Sequence, residues 1–331
     1  MEIKRHEQGI VTTFQDSNWE KPFYDVFKDS YVKYREKWNS VSYSNIPLFP
    51  LHLDIHGADE CMLECSFCPR GNIKAESTGL NLGTKKRMPM ELFRKIIDEA
   101  QEHETRAINF GAGTEPLMNP HISEMIKYSR DRGFIDNRII TNGHLLTLDK
   151  AKELFDAGLT YLSVSVDAFT EETYKKLRGV HFGKVHENLI NTVNLREKLH
   201  LKFPVIRASF IAHPDSIHEF DEFLDYWKKI VDFIELQDFV EFEENKNGDF
   251  ECIEPFRRLS VRPDCTAGCE GFFSSGQLNF GNLNEHSIYE LWNGKKANEL
   301  RESLKTRKYY KDCKLCAGSM QKYDYNLKSY T

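Results

Sequence analysis

Cys61-Met62-Leu63-Glu64-Cys65-Ser66-Phe67-Cys68 places three thiols at the spacing C-x3-C-x2-C. The stretch directly follows the run Leu51 to Ile55, which is predicted to form a strand. Three thiols this close together indicate a metal ligand set. A structural zinc site takes four protein ligands, whereas a 4Fe-4S cluster held by three cysteines keeps one iron open to another ligand. An iron with an open position would make this stretch an active site.

The composition is that of an ordinary globular protein. The chain has 331 residues, of which 40% are hydrophobic and 29% charged, and its formal net charge is -6. An acidic chain lacks the general basic field that attracts phosphate, which argues against a nucleic-acid partner. No apolar stretch approaches the ~18 residues of a membrane span, and the first residues form no signal-peptide core. We therefore expect a cytoplasmic protein with no membrane partner.

The cysteines fall into three groups along the chain. A disulfide-bonded secreted protein is the ordinary alternative for such a count, but we find no export signal, and reducing cytosol disfavours disulfides. Metal ligation explains the grouping better. The groups are Cys61, Cys65 and Cys68, then Cys252, Cys265 and Cys269, then Cys313 and Cys316.

Apolar runs and amphipathic stretches alternate through the middle of the chain. Six strands separated by helices predict an α/β fold with a parallel sheet, either an open doubly wound sheet or a barrel-like curl. The predicted strands are 51–55, 106–110, 135–140, 161–166, 205–211 and 233–237. The predicted helices are 90–102, 122–131, 148–157, 185–199 and 216–229.

Three segments divide the chain. Residues 1–50 form an N-terminal helical extension, in which aromatic residues at steps of three and four predict a helix packed on the main domain or covering a substrate mouth. Residues 51–238 carry the alternating pattern. Residues 239–331 begin with the loop signal Glu244 to Asp249 and carry the remaining five cysteines. We expect this last segment to be a small metal-held domain.

Residues suited to ligand chemistry follow four of the predicted strands. In parallel α/β folds the carboxyl ends of the strands form the ligand-binding edge. Cys61 to Cys68 follows the first strand, Gly111 to Glu115 the second, Thr141 to Gly143 the third, and Ser165 to Asp167 ends the fourth. These segments are expected to meet at one mouth.

The cysteine motif, with Phe67 before its last cysteine and Pro69 and Arg70 after it, resembles the signature of the radical S-adenosylmethionine (radical SAM) superfamily. The resemblance implies a partial (β/α)6 TIM-like barrel. It also implies a 4Fe-4S cluster held by Cys61, Cys65 and Cys68, whose fourth iron binds the methionine part of SAM. Phe67 is similar to the residue whose neighbourhood contacts the adenine.

Further segments resemble the SAM-binding elements of that superfamily. Gly111-Ala112-Gly113-Thr114-Glu115 is similar to its glycine-glycine-glutamate motif, with Ala112 a departure, and implies that Gly111, Gly113 and Glu115 contact the SAM amino group. Ser165 matches the ribose-binding position. Gln237 is a weaker candidate for the adenosine, and Arg178 and Arg207 compete for the SAM carboxylate. An ordinary turn, a helix cap or structural arginines would explain the same residues.

The C-terminal cysteines resemble the SPASM or shortened twitch domain of radical SAM enzymes. The resemblance implies that Cys252, Cys269, Cys313 and Cys316 hold an auxiliary 4Fe-4S cluster. Zinc is the alternative, because it accepts four thiolates equally well. Cys265 has three interpretations: a packed spare thiol, an alternative cluster ligand in place of Cys269, or a catalytic hydrogen-atom donor.

The resemblance implies an enzyme that cleaves SAM reductively to a 5′-deoxyadenosyl radical, which abstracts hydrogen from a substrate C–H bond. It needs an external one-electron reductant such as flavodoxin or ferredoxin. We rank oxidation of a small hydroxylated or amino-sugar-like substrate first, with electron transfer to the auxiliary cluster. Radical epimerisation using Cys265 comes second, and modification of a ribosomal peptide third. A metal-stabilised binding protein without catalysis is the alternative from another class.

Overall fold

The computed structural model describes residues 2–5, 11–15, 18–68, 86–111, 113–239, 250–269 and 277–318. Four features singled out in the sequence lie outside these ranges: Pro69, Arg70, Ala112 and the loop 244–249. Within the described ranges no helix is both long and apolar enough to cross a membrane.

Six parallel strands form the centre of the molecule. Each begins and ends within one residue of its predicted range, because apolar core residues recur at alternate positions, such as Leu53 and Ile55 in the first strand and Ile234 and Leu236 in the last. Neighbours in sequence are neighbours in the sheet, so the strands curve in chain order into an open barrel. They are β3 (His52–Ile55), β4 (Ala107–Phe110), β5 (Asp136–Thr141), β6 (Tyr161–Ser165), β7 (Val205–Ala212) and β8 (Phe233–Asp238).

Helices cover the outer face of these strands. They are α2 (Met90–Glu102), α3 (Ile122–Asp131), α4 (Leu148–Ala157), α5 (Glu171–Arg178), α6 (Phe182–Lys198) and α7 (Phe220–Trp227). Three match the predicted ranges at both ends. The sequence pattern does not predict α5, because Tyr174 and Leu177 are its only buried apolar residues and two in eight give no helical period.

An aromatic helix closes the bottom of the barrel. The helix α1 (Lys21–Ser40), interrupted by non-helical φ and ψ at Lys28, buries Phe23, Tyr31 and Tyr34. These side chains pack on residues at the amino ends of the strands, among them Ala107, Ile135, Tyr161, Val205 and Phe233. The predicted helix packed on the main domain is therefore confirmed. It lies at the opposite end of the strands from Cys61 to Cys68, so it does not cover that mouth.

The first residues of the chain are strands, which the sequence pattern does not predict. β1 (Glu2–Arg5) and β2 (Val11–Gln15) pair antiparallel, and β2 continues the sheet beside β8. Such short strands carry no measurable period of their own. The N-terminal extension is therefore part strand and part helix.

The C-terminal segment continues the barrel sheet. β9 (Arg258–Val261) pairs parallel with β3, and β10 (Thr266–Gly268) and β11 (Asn279–Asn282) follow antiparallel. The segment also contains α8 (Ile288–Asn293), α9 (Lys295–Lys305) and α10 (Lys311–Gly318). Its buried residues belong to the same hydrophobic core as those of the barrel. The expected small domain thus packs as an extension of the barrel, with sheet and core shared.

Candidate active site

The three-cysteine stretch leaves β3 at the carboxyl edge of the sheet and is tied to α5. The backbone N–H of Ser66 donates to the Leu177 carbonyl at 2.8 Å, and the Ser66 hydroxyl reaches the same oxygen at 3.3 Å. Within the stretch, the Cys68 N–H donates to the Cys65 carbonyl at 3.0 Å. These bonds fold the stretch into a turn that groups its cysteines beside the end of α5.

Polar donors from the end of α5 and from the loop after β5 reach the cysteine sulfurs. Cys65 is buried, and Arg178 Nη1 lies 3.6 Å from its sulfur. Asn142 Nδ2 lies 3.8 Å from the sulfur of Cys61. Burial raises the pKa of the Cys65 thiol, and the positive charge of Arg178 acts against that rise. Donors aimed at sulfur stabilise thiolates and tune Fe–S clusters, so these residues fit a cluster held by Cys61, Cys65 and Cys68.

A buried ion pair links the cysteine stretch to the end of β6. Arg178 is 7% exposed, its Nη2 donates to Asp167 Oδ2, and its guanidinium stands 5.3 Å from the centre of the Phe67 ring. Asp167 has a left-handed backbone, with φ of 65°, and its Oδ1 accepts from the Ile211 N–H at 2.9 Å. The ion pair therefore fixes Arg178 between β6, β7 and the cysteines.

Glu115 is buried between the ends of β4 and β5. Its carboxylate accepts from the Thr141 hydroxyl at 2.7 Å, from the Asn142 N–H at 2.8 Å and from the Leu117 N–H at 3.1 Å. Burial nevertheless raises its pKa to about 7. Gly111 is required beside it, because its φ is +111° and an added Cβ would stand 2.3 Å from the Ile140 carbonyl oxygen.

The raised pKa of Glu115 predicts a pH-dependent stability. The folded state holds the proton more tightly than the unfolded state, so this contribution is fully present below pH 4.5 and is lost as pH rises through about 7. At 1.36 kcal/mol for each pH unit between the unfolded and folded pKa of Glu115, this contribution to stability is about 3 kcal/mol. We expect the Tm of the SAM-free protein, relative to Glu115→Gln, to fall between pH 5 and pH 8 in anaerobic thermal scans. Glu124→Gln, at an exposed carboxylate, is the control, and parallel pH profiles for wild type and Glu115→Gln would contradict the prediction.

Three further predicted residues lie on the inner wall of the barrel. Arg207 on β7 donates from Nε to the Ser163 hydroxyl at 2.8 Å and from Nη1 to Glu235 on β8. Gln237 Nε2 donates to Glu235 Oε1 at 2.6 Å. Ser165 is half-buried at the end of β6, opposite Ser209 on β7. The structure thus brings Arg207 and Gln237 together around Glu235, while Arg178 stands beside the cysteines.

Sequence reasoning missed three residues of this arrangement. Asp167 ends the segment from which only Ser165 was singled out, and Asn142 lies in the predicted loop after β5. Glu235 could have been predicted from the sequence. A charged residue in the middle of the predicted strand Phe233–Asp238 indicates that one face of the strand lines a polar cavity. No sequence signal pairs Arg178 with Asp167.

The four C-terminal cysteines lie within electrostatic range of one another. Burial raises the pKa of the Cys269 thiol well above its usual range, and negative charge on Cys252, Cys313 or Cys316 would raise it further. Burial also raises the pKa of Cys252 and of Cys313 to about 12. Apolar surroundings that disfavour free thiolates fit thiolates bound to a metal centre, which shares their charge. In the described part of the chain, no three His, Cys, Asp or Glu side chains surround the position of one metal ion.

Cys265 occupies a turn of its own. It lies between β9 and β10 with a left-handed φ of 70°, and its carbonyl accepts from the Leu283 N–H at 2.8 Å. The Cys265 N–H donates to the Arg262 carbonyl at 3.0 Å. Because β9 runs parallel to β3, this turn emerges at the same edge of the sheet as the three-cysteine stretch.

Comparison with known proteins agrees with this geometry. The family model of the radical SAM superfamily matches residues 56–227, which is more than half of the chain. The chain belongs to the radical SAM superfamily. A second model, of the SPASM iron-sulfur cluster-binding domain, matches residues 252–317. This radical SAM protein therefore uses SAM with a 4Fe-4S cluster and carries an auxiliary cluster in its C-terminal domain.

Curated relatives of this radical SAM protein differ in their reactions. A probable GTP 3′,8-cyclase of Methanocaldococcus jannaschii is 26% identical over 61% of this chain and 63% of its own length. A dTDP-4-amino-4,6-dideoxy-D-glucose ammonia-lyase of Streptomyces venezuelae is 29% identical over 45% of this chain and 30% of its own. This chain thus covers less than two thirds of the length of either relative.

A solved structure confirms the fold of this radical SAM protein. Streptococcus suis SuiB bound to S-adenosylmethionine aligns with a TM-score of 0.60 over 82% of this chain and 71% of that one, at 15% identity. At that identity the likeness establishes the partial barrel with its C-terminal extension.

Proposed function

We propose that this radical SAM enzyme oxidises a small hydroxylated or amino-sugar-like substrate and passes the second electron to its auxiliary cluster. The observation that carries the proposal is the polar inner wall of β6 to β8. Ser163, Arg207, Glu235 and Gln237 form one hydrogen-bonded group there, on the strands that lead up to the SAM site. A wall of buried donors and acceptors suits a substrate rich in hydroxyl or amino groups.

Cys61, Cys65 and Cys68 hold the SAM-binding cluster in this proposal. When bound, the reduced cluster and SAM supply the oxidant that removes a hydrogen atom from a substrate carbon. Gly111, Gly113 and Glu115 receive the amino end of SAM, and Ser165 its ribose. Glu115, buried and raised in pKa, gains a cation that favours its charged form.

The geometry favours Arg178 over Arg207 for the SAM carboxylate. Arg178 stands against both Cys65 and Phe67, and its Nε has no hydrogen-bond partner within the described ranges. Arg178 is paired with Asp167 and Arg207 with Ser163 and Glu235, so the two arginines are distinguished by the position of Arg178 beside the cysteine stretch. We therefore assign Arg178 to SAM and Arg207, together with Gln237, to the substrate side.

Cys252, Cys269, Cys313 and Cys316 supply enough thiolates to saturate the auxiliary cluster. A saturated cluster transfers electrons without binding substrate, which suits a reaction that removes two electrons in total. An external one-electron reductant, flavodoxin or ferredoxin, starts the cycle. The similarity to an enzyme named for an amino-sugar substrate supports the same substrate class.

Isotope transfer tests the proposal. Candidate amino sugars and polyols, deuterated at single carbons, are incubated with enzyme, SAM and a reductant, and 5′-deoxyadenosine is analysed by mass. The expected result is deuterium in 5′-deoxyadenosine together with a ketone or aldehyde product. Two results would overturn the assignment to small-molecule oxidation. One is deuterium transfer that yields a product still carrying both hydrogens, which is two mass units heavier than the expected ketone. The other is deuterium transfer from peptides alone.

Radical epimerisation remains the second candidate because the turn that carries Cys265 lies at the carboxyl edge of the sheet, as the three-cysteine stretch does. In that reaction Cys265 would return a hydrogen atom to the opposite face of the substrate carbon. Solvent deuterium would then enter an inverted carbon in the wild type. Cys265→Ala would retain SAM cleavage but lose this incorporation, and incorporation that persists in the variant would eliminate the donor role.

A further inference from the structure

Arg301 is a buried cation on α9. It is 3% exposed, and its acceptors in the described part of the chain are uncharged. Nε donates to the Pro255 carbonyl at 3.0 Å, and Nη1 donates to the Trp292 carbonyl at 2.7 Å and to Asn298 Oδ1 at 3.3 Å. Nη2 is buried with no hydrogen-bond partner there. Its surroundings therefore supply hydrogen-bond acceptors without a counter-charge.

An arginine so placed is costly unless a negative charge lies close to it. Transferring a charged group from water into the protein interior carries a large desolvation penalty, which hydrogen bonds to neutral groups offset only in part. The indole of Trp292, 4.1 Å from the guanidinium carbon, contributes a cation–π contact. Burial lowers the pKa of Arg301 to about 10 in spite of this contact.

A thiolate at Cys269, one of the proposed auxiliary ligands, would supply a negative charge that favours the protonated form of Arg301. The Pro255 carbonyl, which accepts from Arg301, belongs to a short 3-10 helix, Glu254–Phe256. Pro255 lies three residues after Cys252 in the chain. A 4Fe-4S cluster with four thiolates carries net negative charge in each of its redox states. The hydrogen bond to Pro255 thus ties Arg301 to the segment that carries the proposed ligand Cys252.

We propose that Arg301 is the counter-charge of the auxiliary cluster and holds its reduction potential high enough to accept an electron. The inference rests on the assignment of Cys252, Cys269, Cys313 and Cys316 as ligands and is independent of the substrate. A fixed cation stabilises the more negative, reduced state over the oxidised state, because interactions with charge strengthen in a low-dielectric interior. Arg301 acts through the cluster, as a positioning residue for electron transfer.

A purely structural role makes different predictions. Arg301 also caps one carbonyl in the last turn of α8, that of Trp292, which a neutral hydrogen-bonding side chain would do in part. Such a role affects folding and cluster content. It does not shift the reduction potential of a cluster that has assembled.

Potentiometric titration of the anaerobic holoenzyme, followed by electron paramagnetic resonance, distinguishes these roles. We expect Arg301→Met and Arg301→Gln to lower the potential of the auxiliary cluster. The ratio of reduced to oxidised cluster at a fixed solution potential should fall at least tenfold, which is 59 mV for one electron. Arg301→Lys keeps the charge and should stay within threefold of wild type. The SAM-binding cluster is the internal reference and should not move.

Arg196→Met is the matched control, since Arg196 is similarly buried but paired with Asp232 on the barrel side. An unchanged potential in a fully loaded Arg301→Met or Arg301→Gln protein would overturn the proposal. If neither neutral variant retains the cluster, Arg301→Lys decides: retention at near wild-type potential supports the charge, and loss as in the neutral variants contradicts it. Cys313→Ala separately tests the ligand assignment, which fails if full iron content remains.

Discussion

Cys65→Ala is expected to abolish SAM cleavage and to remove one of the two clusters. Cys65 is the buried member of its group and the one whose sulfur contacts Arg178. Alanine leaves two thiolates, too few to hold a cluster with a single open iron. Iron should fall from about eight to about four atoms per chain, because each 4Fe-4S cluster contains four. The formation of 5′-deoxyadenosine under a strong reductant should fall to the rate without enzyme.

Cys265→Ala is the matched control for that loss. It removes a thiol from the turn between β9 and β10, outside both proposed ligand sets, and should keep about eight irons per chain and wild-type formation of 5′-deoxyadenosine. Cys313→Ala separates the two clusters, because it should lose the auxiliary cluster and retain reductive cleavage of SAM. A Cys65→Ala protein that still cleaves SAM would contradict the assignment of the three-cysteine stretch.

Much of the barrel is readable from local patterns. Apolar residues recur at alternate positions in most of the strands and with a 3.6-residue period in the helices that cover them, so β3 to β8 and α2 to α4 are predictable from their own residues. The short α5 and the β1–β2 hairpin have too few residues to show a period. The pairing of β9 with β3 joins Arg258 to His52, and no local pattern specifies a contact between segments so distant in the chain.

The candidate site also has a part that is predictable from short sequence motifs and a part that is not. The cysteine spacing and the glycines before Glu115 are short-range signals with a chemical reason for each residue. The partners that complete the site come from different strands: Asn142 reaches Cys61 from β5, and Asp167 fixes Arg178 from β6. Sequence reasoning proposes two arginines for one role, and only their surroundings distinguish them. Arg178 faces the cysteines, whereas Arg207 faces Glu235.

Asp167→Asn is expected to destabilise the protein strongly. Breaking one side of a buried ion pair leaves an uncompensated charge, at a typical cost of about 3–5 kcal/mol. Asparagine tolerates the left-handed backbone of Asp167 and can still accept from the Ile211 N–H. The substitution therefore keeps the backbone contact and changes only the group that faces Arg178. Its amide group would oppose the guanidinium of Arg178, donor against donor.

The Tm in anaerobic thermal scans should fall by roughly 5–15 °C, since each kcal/mol shifts Tm by roughly 2–4 °C in domains of 150–250 residues and less in longer chains. Asp156→Asn, which breaks the exposed pair with Lys152, should cost less than about 1 kcal/mol.

In the double variant Asp167→Asn/Arg178→Met the unpaired charge is gone, so part of the lost stability should be recovered. SAM binding should be weaker in the double variant than in the wild type, because Arg178, the proposed ligand of the SAM carboxylate, is absent. Additive losses of stability would show that the pair does not act as a unit and would leave Arg178 as an independent contact to the cysteine stretch.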